Sequence, residues 1–181
     1  MSVILFIIVL VIVMYVIGTY NSLVQARNKV RDQFSQIDVQ LKRRFDLIPN
    51  LVVTVKGYAK HESETLEKVI QARNNYASAK NEAEKVAASN EMSRGVMNIM
   101  ALAENYPDLK ANTNFIDLQN QLKEVEDKIG YARQFYNDTV LVYNNKVEMF
   151  PGNLVASIFG FKREVFFEAD AKERENVKVK F

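Results

Sequence analysis

The hydrophobic pattern changes once along the chain, from an unbroken apolar run to stripes at helical spacing. From Val3 to Leu23 the sequence VILFIIVLVIVMYVIGTYNSL carries no ionisable side chain other than two tyrosines, and the first fixed charge is Arg27. Twenty-one helical residues at about 1.5 Å each reach roughly 31 Å, the thickness of a hydrocarbon core of about 30 Å. The run therefore predicts a membrane-spanning helix. Tyr15 and Tyr20 fall toward its C-terminal part, where amphipathic rings suit the headgroup boundary, and Asn21 and Ser22 mark the exit to water. A secretory signal is the competing reading, but it needs a basic stretch ahead of the apolar run, and only Met1 and Ser2 stand there.

Beyond the run, a seven-residue period takes over. Phe34, Leu41, Ile48 and Val55 form one series, and Val30, Ile37, Leu51 and Tyr58 the interleaved one, with Arg44 alone breaking the stripe. The period passes through Pro49, which lacks a backbone donor and clashes with the carbonyl of Phe45, so a kink within a continuing helix is expected there. Ser63, with Glu64 and Glu67, reads as the capped start of a second helix whose apolar face is Leu66, Val69, Ile70, Tyr76 and Ala77, ending near residue 84. Ser89 or Asn90 is the expected cap of a third, with Met92, Val96, Ile99 and Ala103 as its stripe and Pro107 as its stop. Met92, Met97 and Met100 suit an adaptable binding surface, with ordinary core packing the expectation for Met92 and Met100.

After PDLKANTN comes the longest period in the chain. Phe115, Leu122, Ile129, Tyr136, Tyr143 and Phe150 recur every seven residues, with Leu118, Val125, Ala132 and Thr139 between them. Stripes of this kind demand partner helices, and short connections favour antiparallel neighbours. The expected fold is all-α: a transmembrane helix continuing into an antiparallel four-helix bundle of long, coiled-coil-like helices. The predicted division is an anchor and exit at 1–26, the bundle at 27–150, an apolar segment at 151–163 and a tail at 164–181. In PGNLVASIFGF, the residues Leu154, Val155, Ile158, Phe159 and Phe161 form a candidate surface. It is open to two readings, a cap on the end of the bundle or an assembly and membrane-docking face beside the anchor. The tail alternates over Val165 to Phe167 and Val177 to Phe181, a pattern that suits short strands or a flexible end.

Composition narrows the chemistry. The 181 residues hold 24 basic and 22 acidic side chains, so no net field draws the chain to nucleic acid. With no cysteine and a single histidine, His61, disulfides, cysteine–zinc sites and sites needing two imidazoles are excluded. His61 beside Glu62 and Glu64 reads as a solvated junction, and no nucleophile elbow or phosphate loop appears. No catalytic residue, metal site or cofactor is assigned, and an enzyme is the last-ranked reading. Arg44 is different. At a core position it either snorkels to the surface, pairs inside the seam or marks a partner contact, and snorkelling is the expectation. Arg27, Lys29, Arg31, Lys42, Arg43 and Arg44 all come after the apolar run, which by the positive-inside rule keeps the helical part cytoplasmic and the N-terminus outside.

Three stretches carry a family likeness: YNSLVQARNKVRDQFSQIDVQLKRRFDLIPNLVVTVKGYAKHE, YPDLKANTNFIDLQNQLKEVEDKIGYARQFYN and MFPGNLVASIFGF. Through them the chain resembles the LemA family of bacterial membrane proteins over essentially its full length. The resemblance implies an N-terminal anchor and a cytoplasmic antiparallel helical bundle, and it brings no catalytic motif to transfer. The functional expectation is a noncatalytic scaffold or adaptor at the inner face of a bacterial membrane. It contacts lipid through the N-terminal helix and binds unidentified protein partners or further copies of itself. The alternative is a self-assembling, membrane-shaping or compartment-forming oligomer.

Overall fold

A computed structural model describes residues 2–167 of the chain. All regular structure in it is helical: α1 (Ser2–Lys56), α2 (Ser63–Ser78), α3 (Glu82–Ala103), α4 (Pro107–Lys110), α5 (Thr113–Glu148) and α6 (Gly152–Ile158). These elements sort into two compact units. The terminal unit takes residues 2–36 with Ala132–Phe167 and the middle unit takes Ile37–Tyr131, so α1 and α5 contribute to both.

In the middle unit the predicted stripes meet. Ile37, Leu41, Ile48, Leu51 and Val55 of α1 are buried, as are Leu66 and Val69 of α2, Met92, Val96 and Ile99 of α3, and Phe115, Leu122, Val125 and Ile129 of α5. Polar contacts fix the helix directions. Near the start of this part of α1, Asp38 accepts from Tyr76 at the end of α2 (2.8 Å) and from Lys85 at the start of α3 (3.0 Å). At the other end, Asn112 before α5 donates to Tyr58 (2.9 Å). Consequently α2 and α5 run against α1, and α3 runs with it. α2 and α3 approach closely at Gly95, where a Cβ would lie 2.8 Å from Cγ2 of Val69.

Several boundaries differ from the sequence expectation, each for a local reason. The third helix begins at Glu82, not at Ser89 or Asn90, because Asn81 is its cap: the Asn81 side chain accepts from Glu84 N, while the Glu84 carboxylate accepts from Lys80 N (2.7 Å) and from Asn81 Nδ2. These reciprocal bonds cap the start of α3. With them α2 ends at Ser78, ahead of residue 84. The residue preceding α2 is Glu62, so Ser63 lies inside the helix and is no cap. Pro107 opens the single turn α4, where its missing N–H is no loss, rather than merely stopping α3.

Helix α1 does continue through Pro49. The carbonyl of Phe45, which proline leaves without its usual partner four residues on, accepts from Arg73 Nε of α2 at 3.2 Å. The same guanidinium lies 3.8 Å from the Phe45 ring centroid, so one side chain satisfies the freed acceptor and stacks on the adjacent ring.

In the terminal unit, Leu23 and Val30 of α1 are buried, as are Tyr136, Val140 and Tyr143 of α5 and Val155 and Ala156 of α6. The buried series on α5 steps from the expected Thr139 to Val140 and stops before Phe150, which lies in the turn after α5 and is 79% exposed. A straight helix drifts by about 20° per heptad, enough to rotate a strict seven-residue series off the seam. Val165 to Phe167, expected as a short strand or a flexible end, has no strand assignment; Val177 to Phe181 lies outside the described residues.

Candidate functional site

The predicted surface at 154–161 divides by face. Val155 and Phe161 turn inward, whereas Leu154, Ile158 and Phe159 are exposed, Ile158 by 76%. Together with exposed Met149 and Phe150, they gather several large apolar side chains around one short helix. The segment is attached to the N-terminal helix at the level of its tyrosines: the Tyr20 ring lies 4.9 Å from that of Phe159 and 5.7 Å from that of Phe161, both edge to face. Arg27 places its guanidinium 5.0 Å from the Phe161 centroid.

The turn that directs Phe161 inward has a defined cause. Gly160 sits at φ +70, Phe161 N donates to Ala156 O (2.9 Å) and Gly160 N to Ser157 O (3.3 Å). This is a Schellman ending, which favours glycine at the left-handed residue and commonly brings apolar side chains together across the turn. Here those are Phe161 and Ala156, both buried.

From Phe161 the chain runs back along α5, held by side chains that read its backbone. Asn144 donates to Glu164 O (3.0 Å) and accepts from Glu164 N (2.9 Å); Asn137 does the same for Phe167 (3.0 and 2.8 Å). Tyr143 donates to Lys162 O (2.8 Å) and Tyr136 to Val165 O (3.0 Å). The registers agree: seven helical residues advance about 10.5 Å, and three extended residues about 10 Å. Two Tyr–Asn pairs a heptad apart thus grip two points of the tail three residues apart. Phe167 closes the far end, buried between the Tyr136 ring and the Arg133 guanidinium, the latter 4.3 Å from its centroid. Burial raises the Tyr143 phenol above its ordinary value, with the Glu164 carboxylate adding to the effect.

Arg44 lies in the middle unit and is fully buried, which corrects the expectation of a snorkelling side chain. Its Nη1 donates to Glu126 Oε1 (2.8 Å) and to Ser93 Oγ, and its Nη2 to Ser89 O and Oγ (2.8 and 2.7 Å). Ser93 in turn donates to Glu126 Oε2 (3.2 Å). Hydroxyls and a carboxylate from α3 and α5 meet the charge inside the seam, so the long stem need not reach water. Pro49 is exposed on α1, and His61 is exposed in the turn between α1 and α2. The geometry offers an apolar face beside the N-terminal helix, a clamp for the backbone of the tail, and a buried polar pin.

A profile described as the LemA family matches residues 33–181, more than four-fifths of the chain. The chain belongs to the LemA family. Protein LemA of Metamycoplasma hominis is 28% identical over 164 residues, covering 89% of this chain and 74% of that protein. Magnetosome protein MamQ 2 of Paramagnetospirillum magneticum is 34% identical over 70 residues, 39% of this chain but 26% of the relative. Magnetosome protein MamQ of Magnetospirillum gryphiswaldense is 30% identical over 69 residues, again about a quarter of its length. The chain thus shares most of its length with the LemA relative and only a segment with the magnetosome proteins. Within this LemA family chain, α1 contains a segment long and apolar enough to cross a bilayer.

The Tyr–Asn pairs and the Arg73 bond to Phe45 were not anticipated from the sequence. The first had a signal, YN at 136–137 and again at 143–144, one heptad apart. The second had only half of one, since Pro49 announces an orphaned carbonyl but not its partner.

Proposed function

We propose that this LemA family chain is a noncatalytic scaffold or adaptor at the inner face of a bacterial membrane. The observation that carries the reading is continuity: one helix, α1, presents exposed apolar side chains over residues 3–13 and supplies buried core residues from Leu23 to Val55. Exposed apolar surface on that scale is stable only in lipid or against another protein. Residues 3–23 are the span in this proposal, and the basic residues from Arg27 onward hold the helical part beyond it in the cytoplasm. The middle unit is the presented part, an antiparallel four-helix bundle whose outer faces and loops near 57–63 and 105–114 are the surfaces for partners.

Crosslinking the full chain in intact cells, with a form lacking residues 2–22 as control, tests the proposal. Reproducible partners that depend on the span are expected. Recovery of the same partners without the span would overturn anchoring as the mechanism.

A second reading, assembly into a membrane-shaping oligomer, draws support from the exposed Phe150, Leu154 and Ile158 and from the partial likeness to magnetosome proteins. Recovery of the chain's own copies alone would favour it over the adaptor.

A further inference from the structure

The terminal unit contains a groove of about 670 Å³ where α1 leaves the predicted span. Its walls are Tyr15, Gly18 and Thr19 of α1 and Met149, Phe150 and Pro151 after α5. Toward the α5 side it meets a second hollow of about 480 Å³, with Ser22, Val142 and Lys146 lining both. Chemistry changes along this path. The first part is mainly apolar, and the second is lined by polar groups including Lys29, Gln25 and Asp138. Two lysines and one carboxylate, Asp138, line it, and Lys146 donates to the uncharged Ser22 hydroxyl. The first volume is within the roughly 300–1,000 Å³ usual for small-molecule sites.

We propose that this path binds one anionic phospholipid, with an acyl chain along Gly18 and Phe150 and its phosphate at Lys146 and Lys29. The inference rests on the reading that residues 3–23 cross the bilayer. At the inner end of the span an apolar groove open to the side meets the acyl chains of the adjoining leaflet, so a lipid chain enters it; the ammonium groups at its polar end select the headgroup. Gly18 is the small residue that leaves room, since a Cβ built there meets nothing within 4 Å.

The test places the full chain in vesicles of equal phosphatidylglycerol and phosphatidylcholine, extracts it in mild detergent and counts retained lipid by native mass spectrometry. Alkaline carbonate extraction of the same vesicles separately reads anchoring. One retained phosphatidylglycerol per chain is expected. Gly18→Leu, which fills the groove without a backbone clash, lowers retention about tenfold. Lys146→Gln lowers the phosphatidylglycerol-to-phosphatidylcholine ratio about fivefold while leaving the helix content measured by circular dichroism unchanged. Val142→Phe is the second groove-filling variant, introduced from α5, and reduces retention likewise. Carbonate-resistant chain that carries no lipid, or equal retention by wild type and both filled variants, overturns the lipid site and leaves the anchor standing. Chain released by carbonate overturns the anchor on which both proposals depend.

Discussion

The two units of this chain are stabilised in different ways. The middle unit closes on itself: apolar stripes from its long helices meet, and the Arg44 charge in the seam is matched by Glu126, Ser89 and Ser93. The terminal unit instead holds an extended tail by its backbone and leaves Phe150, Leu154 and Ile158 outside. One unit is specified by what it buries, the other by what it grips. A self-sufficient core suits a part that is presented, whereas exposed apolar residues beside an apolar helix suit a part completed by its surroundings.

The contrast is broken most severely at the polar pin. Glu126→Ala leaves the Arg44 charge buried with only hydroxyl and carbonyl partners and is expected to cost the middle unit about 3 kcal/mol. Arg44→Leu should cost under about 1 kcal/mol, because the freed carboxylate is part exposed and the position is otherwise apolar. Urea denaturation of each variant checks the asymmetry; equal losses would contradict it.

Next in size is the clamp. Asn137→Ala with Asn144→Ala removes both two-way grips on the tail and should loosen residues 161–167 by about 2 kcal/mol, at roughly 1 kcal/mol per hydrogen-bonded pair lost net. Hydrogen exchange should quicken at Glu164 and Phe167 and stay slow in the middle unit, and trypsin should cut sooner after Lys162 and Arg163. Gly160→Ala acts on the same segment from its hinge. A left-handed residue with a Cβ costs roughly 1–2 kcal/mol, and the expected sign is faster exchange at Phe161 with little change at Val55.

The smallest effect sharpens the comparison through pH. Burial, reinforced by the hydrogen bond to Asp38, holds the Tyr76 phenol well above its ordinary value of about 10. The unfolded chain ionises this group first, so its stabilising contribution is complete below about pH 10 and is lost as pH rises from there toward the folded value. Tyr76→Phe should cost about 1 kcal/mol at neutral pH and flatten the decline above pH 10, as read from thermal melts across that range.

Much of the middle unit was legible because heptad spacing maps directly onto a helix face: Leu41, Ile48, Leu122 and Ile129 are buried where the period puts them. Its third helix started early because the Asn81 cap with its Glu84 partner is local chemistry that an apolar period does not report. The terminal unit was less legible for the same reason. Phe150 fits a period that the helix no longer keeps, and Val165 to Phe167 alternates like a strand but pairs with asparagine side chains of α5. Arg44 was visible as an exception, yet only the folded neighbours Ser89, Ser93 and Glu126 decide that the exception lies inside.

The central claim is that α1 holds the middle unit at the inner face of the membrane. Because the chain has no cysteine, a single Lys60→Cys in the exposed turn after α1 gives a clean label site. A membrane-impermeant maleimide should label this cysteine in inside-out membrane vesicles and fail to label it in sealed right-side-out vesicles. Labelling in right-side-out vesicles, or recovery of the chain in the soluble fraction, would contradict the account.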